Sequence, residues 1–479
     1  MRFDNTFARL PPPFHEVIDP APLPEPELIA LNPDACHLLD LDPDSVDRAT
    51  LTDWFAGNRR IPGAEPVAML YAGHQFGVWV PQLGDGRAFL LGEVLNRRGE
   101  RWDLHLKGGG PTRFARGGDG RAVLRSVIRE YLACEAMAGL GISTSRALSI
   151  VGSSLKVRRE TLERGAVLMR LAPTHVRFGS FEVFAARGRT DLVRRLADYV
   201  ISLHFPEVDG KYGEWLRAVA SRTGRLLADW QVYGFVHGVM NTDNMSMVGI
   251  TLDYGPFAFL DQYDPTHIAN HSDYQGRYAF NQQPAVGLWN LARLAEALST
   301  LVSEQEAGDA LTAYRETFES HAGRRFRSRL GLTTEEPGDT GLVAGFLDLL
   351  RSQHADYTRC FRALGSVTAA PGPCPALAAC LREPGAMEPW LARYRARLAM
   401  QETDDRDRAA RMSRVNPVYI LRNWMAERAI RQAMGGEDYG EIERIHALLR
   451  DPFAEQCGME EYAAAPPAWS RDLVISCSS

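Results

Sequence analysis

Two side chains with oxygen donors, Asn244 and Asp253, stand nine residues apart in His237-Gly238-Val239-Met240-Asn241-Thr242-Asp243-Asn244 and Asp253-Tyr254-Gly255. The chain before them reads as strands with one early helix, then amphipathic helices, and the chain after them is dominated by helices. The loop is therefore expected in the helical half, past the hinge that joins it to the strand-rich half. Carboxamide and carboxylate oxygens are hard donors, and on a loop and a strand end they suit Mg²⁺ or Mn²⁺ bridging phosphates.

Kinase-type phosphotransferases place an aspartate five residues before such an Asn and close the site with Asp-Phe-Gly, whose Asp holds magnesium. Here the position five before Asn244 is Val239. Valine accepts no proton, so the metal half of the pattern is intact and the usual base is missing. Asp243 is the carboxylate inside the loop that could take the base's place; its other reading is support for Asn244. His237 reads as a brace that hydrogen-bonds nearby backbone.

Val78-Trp79-Val80 and Ala88-Phe89-Leu90-Leu91 flank Gly84-Asp85-Gly86-Arg87, which predicts strand, glycine turn, strand. Trp102 to Lys107 alternates apolar and polar residues as a third strand ending on a lysine. Gly108 to Arg121 is a glycine-rich basic loop that opens a helix near Ala122, a combination that makes an anion site. On that helix Glu130 shares a stripe with Val123, Val127, Cys134 and Met137, so its carboxylate needs a cation, and Lys107 is the candidate. Arg170 ends an apolar strand, Ala166 to Leu171, where a guanidinium also needs an anion, and Arg177 follows near the expected hinge. Val248 to Leu252 predicts a short strand feeding Asp253.

The expected organisation is α+β: a bilobal, protein-kinase-like fold. Its parts are an irregular Pro-rich extension (1–65), a strand-rich lobe (66–175), a helical lobe (176–335) and a C-terminal helical region (336–479). The chain has 479 residues, 45% hydrophobic and 24% charged, with net charge -6, which fits a globular protein and supplies no general basic surface for nucleic acid. No apolar run reaches membrane-span length and the start is too polar for a signal peptide, so a cytoplasmic protein without membrane partners is expected. The seven cysteines form no C-x-x-C pair, and Cys477 reads as a free surface thiol.

The chain resembles the SelO family, selenoprotein O and its bacterial homologues, nearly end to end. The resemblance rests on Tyr71-Ala72-Gly73-His74-Gln75-Phe76-Gly77, Gln82 to Arg87, His105-Leu106-Lys107-Gly108, His237 to Asn244, Asn270-His271-Ser272-Asp273, Asn416-Pro417 and Ser476-Cys477-Ser478-Ser479. It implies a pseudokinase-like fold that binds ATP in an inverted orientation and transfers AMP, or UMP from UTP, to Ser, Thr or Tyr hydroxyls of target proteins. It also implies that Gly84, Gly86, Arg87, Lys107, Asp119, Gly120, Arg170, Arg177 and Asp253 contact nucleotide. By the same resemblance Asn244 and Asp253 hold Mg²⁺ or Mn²⁺, and Asp243 accepts the proton. Eukaryotic members carry selenocysteine at the place of Cys477, often as C-x-x-U; Val474 here removes the local pair.

Two other readings compete. A small-molecule or protein kinase would read His-Gly-Asp in the loop, against Val239; a nucleotide-binding scaffold without catalysis would not need the preserved Asn244 and Asp253.

Overall fold

A computed structural model describes residues 1–475; Cys477 and its neighbours 476–479 lie outside the described residues. The chain is mixed α and β. Twelve strands are β1 (His15–Val17), β2 (Glu27–Leu31), β3 (Val67–Met69), β4 (Gly73–Gln75), β5 (Val78–Val80), β6 (Ala88–Leu95), β7 (Arg101–Lys107), β8 (Ala122–Val123), β9 (Arg146–Arg158), β10 (Leu162–Ala172), β11 (Phe235–Val236) and β12 (Ala258–Phe259). The helices that frame the site are α1 (Pro33–Leu38), α2 (Arg48–Ala56), α3 (Leu124–Gly139), α4 (Phe178–Ala185), α5 (Thr190–His204), α6 (Tyr212–Tyr233), α7 (Gln283–Ala297) and α8 (Glu304–Arg329). Further helices follow to the end, among them Asp405–Ser413, Asn423–Gly436 and Gly440–Arg450.

Eight strands form one sheet in the order β1-β3-β6-β7-β10-β9-β2, with β8 paired to β10 and every pairing antiparallel. Strand alternation sorts the side chains. Phe89, Leu91, Leu104, Leu106, Val167 and Met169 pack on one face against Leu51 and Phe55 of α2, while Leu90 and Leu168 face the cluster built around α3. Residues 1–65 are thus not an irregular wrap. They supply both edge strands, β1 and β2, and the helices that cover the outer face. Asn32 and Asp47 cap those helices by accepting backbone N–H bonds.

Two local expectations are corrected. Val78–Val80 does not pair across the glycine turn with Ala88–Leu91; it pairs with β4 in a separate hairpin, and β6 pairs with β3 and β7. The hairpin turns at Phe76 and Gly77, both with positive φ (51° and 80°), the pairing a two-residue turn requires. Val248 to Leu252 is no strand: Gly249 adopts φ 71° and breaks the extension, leaving isolated bridges from Thr251 to Thr144 and Met245.

Helix α6 runs under the loop and ends at Gly234 in the left-handed conformation, which turns the chain into β11 and His237. No helix among the described residues is long and apolar enough to cross a membrane.

Candidate active site

The sheet and loop meet around a cavity of about 690 Å³. Among the described residues its wall holds six cationic side chains (Arg87, Lys107, Arg116, Arg121, Arg159, Arg170) against four carboxylates (Asp85, Asp119, Asp243, Asp253), a balance that favours an anion. Register explains the inner cluster. Arg170 lies opposite His105 and Leu168 opposite Lys107, so His105, Lys107 and Arg170 project from the same face toward α3.

From α3, Glu130 meets them. It is 1% exposed and accepts from Lys107 Nζ at 2.5 Å and from Arg170 Nη1 at 2.8 Å. The predicted pair exists, with a second cation added. Burial lowers the Lys107 pKa, Glu130 opposes that shift, and Arg170 and Arg87 reinforce it. Arg170 Nη1 also donates to Asp253 Oδ1, and its Nη2 donates 2.8 Å to His105 Nδ1. That bond leaves the hydrogen of His105 on Nε2, which donates 3.2 Å to Asp85 Oδ2. Arg177 Nη1 donates to Asp253 Oδ2 at 2.5 Å and to the Asp243 carbonyl at 2.8 Å, while its guanidinium stacks over Tyr71. Arg170 lines the cavity, whereas Arg177 stands behind Asp253, outside the wall. The anions that the two arginines demanded are, within the protein, Glu130 and Asp253.

Asp253 sits at φ 55°, a conformation costly for a non-glycine residue and held here by its two arginines. Burial pushes its carboxyl up, but Arg177, Arg170 and Lys107 outweigh that and hold it well below the usual range. Asp243 is the opposite case. Burial raises it to about 7, only partly offset by Gln75 and Arg177. Gln75 Nε2 donates to its Oδ2 at 3.2 Å, and its Oδ1 is buried without a hydrogen-bond partner. Two carboxylates in one wall therefore have widely separated proton affinities, the pattern that separates a base from a permanent anion.

The loop itself is pinned at nearly every residue. His237 Nε2 donates to the Leu252 carbonyl at 3.0 Å, its Nδ1 accepts from Val239 N, and its ring stacks on Trp230, so it braces the loop as expected. Asn270 donates to the Gly238 carbonyl, Asn290 to that of Met240, and Tyr278 to Asn241 Oδ1. Hairpin β4–β5 grips the other side: His74 N donates to Thr242 Oγ1 at 2.7 Å. Asn244 Nδ2 donates 2.8 Å to the Val239 carbonyl, which leaves its amide oxygen free to act as a donor atom in the wall. Among the described residues no group of three or more His, Cys, Asp and Glu could hold a metal. Asn244 and Asp253 offer two hard oxygen donors in this wall, the donor chemistry that suits Mg²⁺ or Mn²⁺.

Gly84, Gly86, Arg87, Asp119 and Gly120 also line the cavity. A Cβ on Gly120, at φ 67°, would stand 2.1 Å from the Gly110 backbone, and one on Gly86 2.8 Å from the Phe114 carbonyl. Both turns need glycine. Asp119 is tied to Arg159 at 2.7 Å. Sequence reasoning missed Tyr71, Gln75, Asp85, His105, Arg116, Arg121 and Arg159 as individual site residues. His105 carried a signal, since it lies two positions before Lys107 on an alternating strand; Arg159, remote in sequence, carried none.

The family model described as protein adenylyltransferase SelO matches residues 1–450. The chain is 54% identical to the protein nucleotidyltransferase YdiU of Myxococcus xanthus over 486 residues, covering 100% of this chain and 99% of that protein. It is 51% identical to the protein of the same name from Thioalkalivibrio sulfidiphilus and 50% to that from Thiobacillus denitrificans, with 100% of this chain and 99% of each relative covered. A single loop built on Val239, Asp243 and Asn244, a Lys107–Glu130–Arg170 cluster and a match that runs through both lead to one conclusion: this chain belongs to the SelO family.

Proposed function

We propose that the protein is a nucleotidyltransferase that moves AMP from ATP, or UMP from UTP, to Ser, Thr or Tyr hydroxyls of other proteins. The carrying observation is Asp243: a buried carboxyl raised to about 7, in the same wall as Arg170, Asn244 and Asp253. The strand-rich sheet with Lys107 paired to Glu130 on α3, followed by the loop over α6, supports a bilobal, kinase-like (pseudokinase) plan.

In this reading the triphosphate enters with its outer phosphates toward Lys107 and Arg170, the most buried cations of the wall, and its α-phosphate near Asp243. Gly84, Gly86 and Arg87 approach the nucleotide from the turn before β6, and Asp119 and Gly120 from the glycine-rich loop. Arg177 holds Asp253 and the Asp243 backbone in place. Asn244 and Asp253 would hold Mg²⁺ or Mn²⁺, which when bound neutralises charge developing on the phosphates. Asp243 takes the proton of the acceptor hydroxyl as its oxygen bonds to the α-phosphorus; the bond to the β-phosphate oxygen breaks and pyrophosphate leaves. Val239, in the wall where a kinase base would stand, weighs against γ-phosphoryl transfer.

Incubation with acceptor proteins and ATP labelled separately at the α- and γ-phosphates tests this. Protein-bound label from the α-position supports nucleotidyl transfer; label from the γ-position alone would mean a kinase, and none from either a non-catalytic scaffold.

A further inference from the structure

A second cavity, of about 570 Å³, opens between the C-terminal part of α8 and the C-terminal end of helix Asp405–Ser413, and none of its lining residues borders the active site. Arg324, Arg327, Arg411 and Arg414 line it, with Glu335 as the one carboxylate. Arg327 spends its charge on Glu335 at 2.7 Å, and Arg324 donates to His321 Nδ1 at 3.0 Å. Among the described residues the side chains of Arg411 and Arg414 make no hydrogen bond or ion pair; Arg414 is exposed, and Nη2 of Arg411 is buried without a partner. A guanidinium nitrogen withdrawn from water without an acceptor is costly, and Arg324 and Arg414, exposed and lining the same cavity, leave its positive charge unmatched by Glu335, which Arg327 already engages. The hydroxyl of Thr334 accepts from Arg397 at 3.2 Å and keeps its own hydrogen to donate. Among the described residues no aromatic ring lines the space, so they offer no platform for a nucleobase.

We propose that this cavity is a second binding site, for a compact oligoanion of the inorganic phosphate type, held by Arg411 and Arg414 with Arg324 alongside. Guanidinium forks match phosphate oxygens two at a time, and the volume accommodates a short phosphate chain with its water.

Calorimetric titration of the full chain with pyrophosphate, in parallel with Arg411→Ala/Arg414→Ala, tests the site, because the variant leaves every residue of the cleft untouched. The expected result is a cleft event common to both proteins and a second event present in the native protein and weakened about tenfold or more in the variant, with salt weakening it further. Identical titrations in both proteins would overturn the proposal. Should the double variant melt differently from the native protein, Arg324→Gln replaces it under the same criterion. ADP is the second arm: an event lost in the variant for ADP but absent for pyrophosphate would overturn the assignment to a compact anion.

Discussion

Glu130 lies 2.8 Å from Arg170 and 2.5 Å from Lys107, so one buried carboxylate on α3 neutralises two cations on neighbouring strands. The carboxylate is the keystone of the cleft's inner end. Removing it leaves two buried cations with one anion, Asp253, between them. Glu130→Ala is expected to cost about 3 to 5 kcal/mol of stability, read as a lowered urea midpoint, and to weaken nucleotide binding at the same time.

On the proposed mechanism Asp243 sets the pH dependence. A base with a pKa of about 7 is protonated and idle well below that value, so nucleotidyl transfer should rise through pH 7 and level off above it. The profile of kcat/KM is the measurement. Gln75→Ala removes the hydrogen bond that favours the ionised form, and should move the midpoint upward.

The same carboxyl makes a stability prediction of opposite sign. Its folded pKa is raised from 3.8, so its contribution is fully present below pH 4 and is lost as pH rises through 7. Asp243→Asn stays neutral throughout. At pH 8 it is expected to be roughly 1 to 2 kcal/mol more stable than the native chain while losing transfer and keeping nucleotide binding. Thermal melts at pH 5 and pH 8 should show the advantage growing with pH, because the unfolded chain's carboxyl is ionised from about pH 4 upward while the folded one holds its proton until about 7.

Chelation of divalent ions should abolish transfer, and Asp253→Ala should do the same by a second route, since it leaves Arg177 without its anion and Arg170 with Glu130 alone, as well as removing a donor. Asn244→Ala, which disturbs no ion pair, separates the two effects. Its loss of transfer should be partly recovered at raised Mn²⁺, whereas that of Asp253→Ala should not.

Gly120→Ala is expected to fail structurally. The added methyl meets backbone at 2.1 Å and the residue sits at φ 67°. A drop in nucleotide affinity with the glycine-rich loop more open to proteolysis would be the signature.

The cluster around Lys107 was legible because two periodicities cross there: alternation put the lysine at a strand end, and a three-four spacing put Glu130 on a buried stripe. Arg170 was legible as a charge in need of an anion, but not its partner, because Asp253 lies 83 positions away and only tertiary packing joins them. The hairpin at Phe76-Gly77 escaped notice since Phe is a rare residue at positive φ. Residues 1–65 read as irregular because prolines mask short edge strands, whose pairing is decided by β3 and β9 rather than by local preference.

The pose of the nucleotide is the claim on which the rest depends, and a crystal structure with a non-hydrolysable ATP analogue and Mg²⁺ measures it directly. The expected result is the outer phosphates against Lys107 and Arg170 with the α-phosphate beside Asp243. A purine at the inner end with the γ-phosphate outermost, beside Asp243, would contradict it.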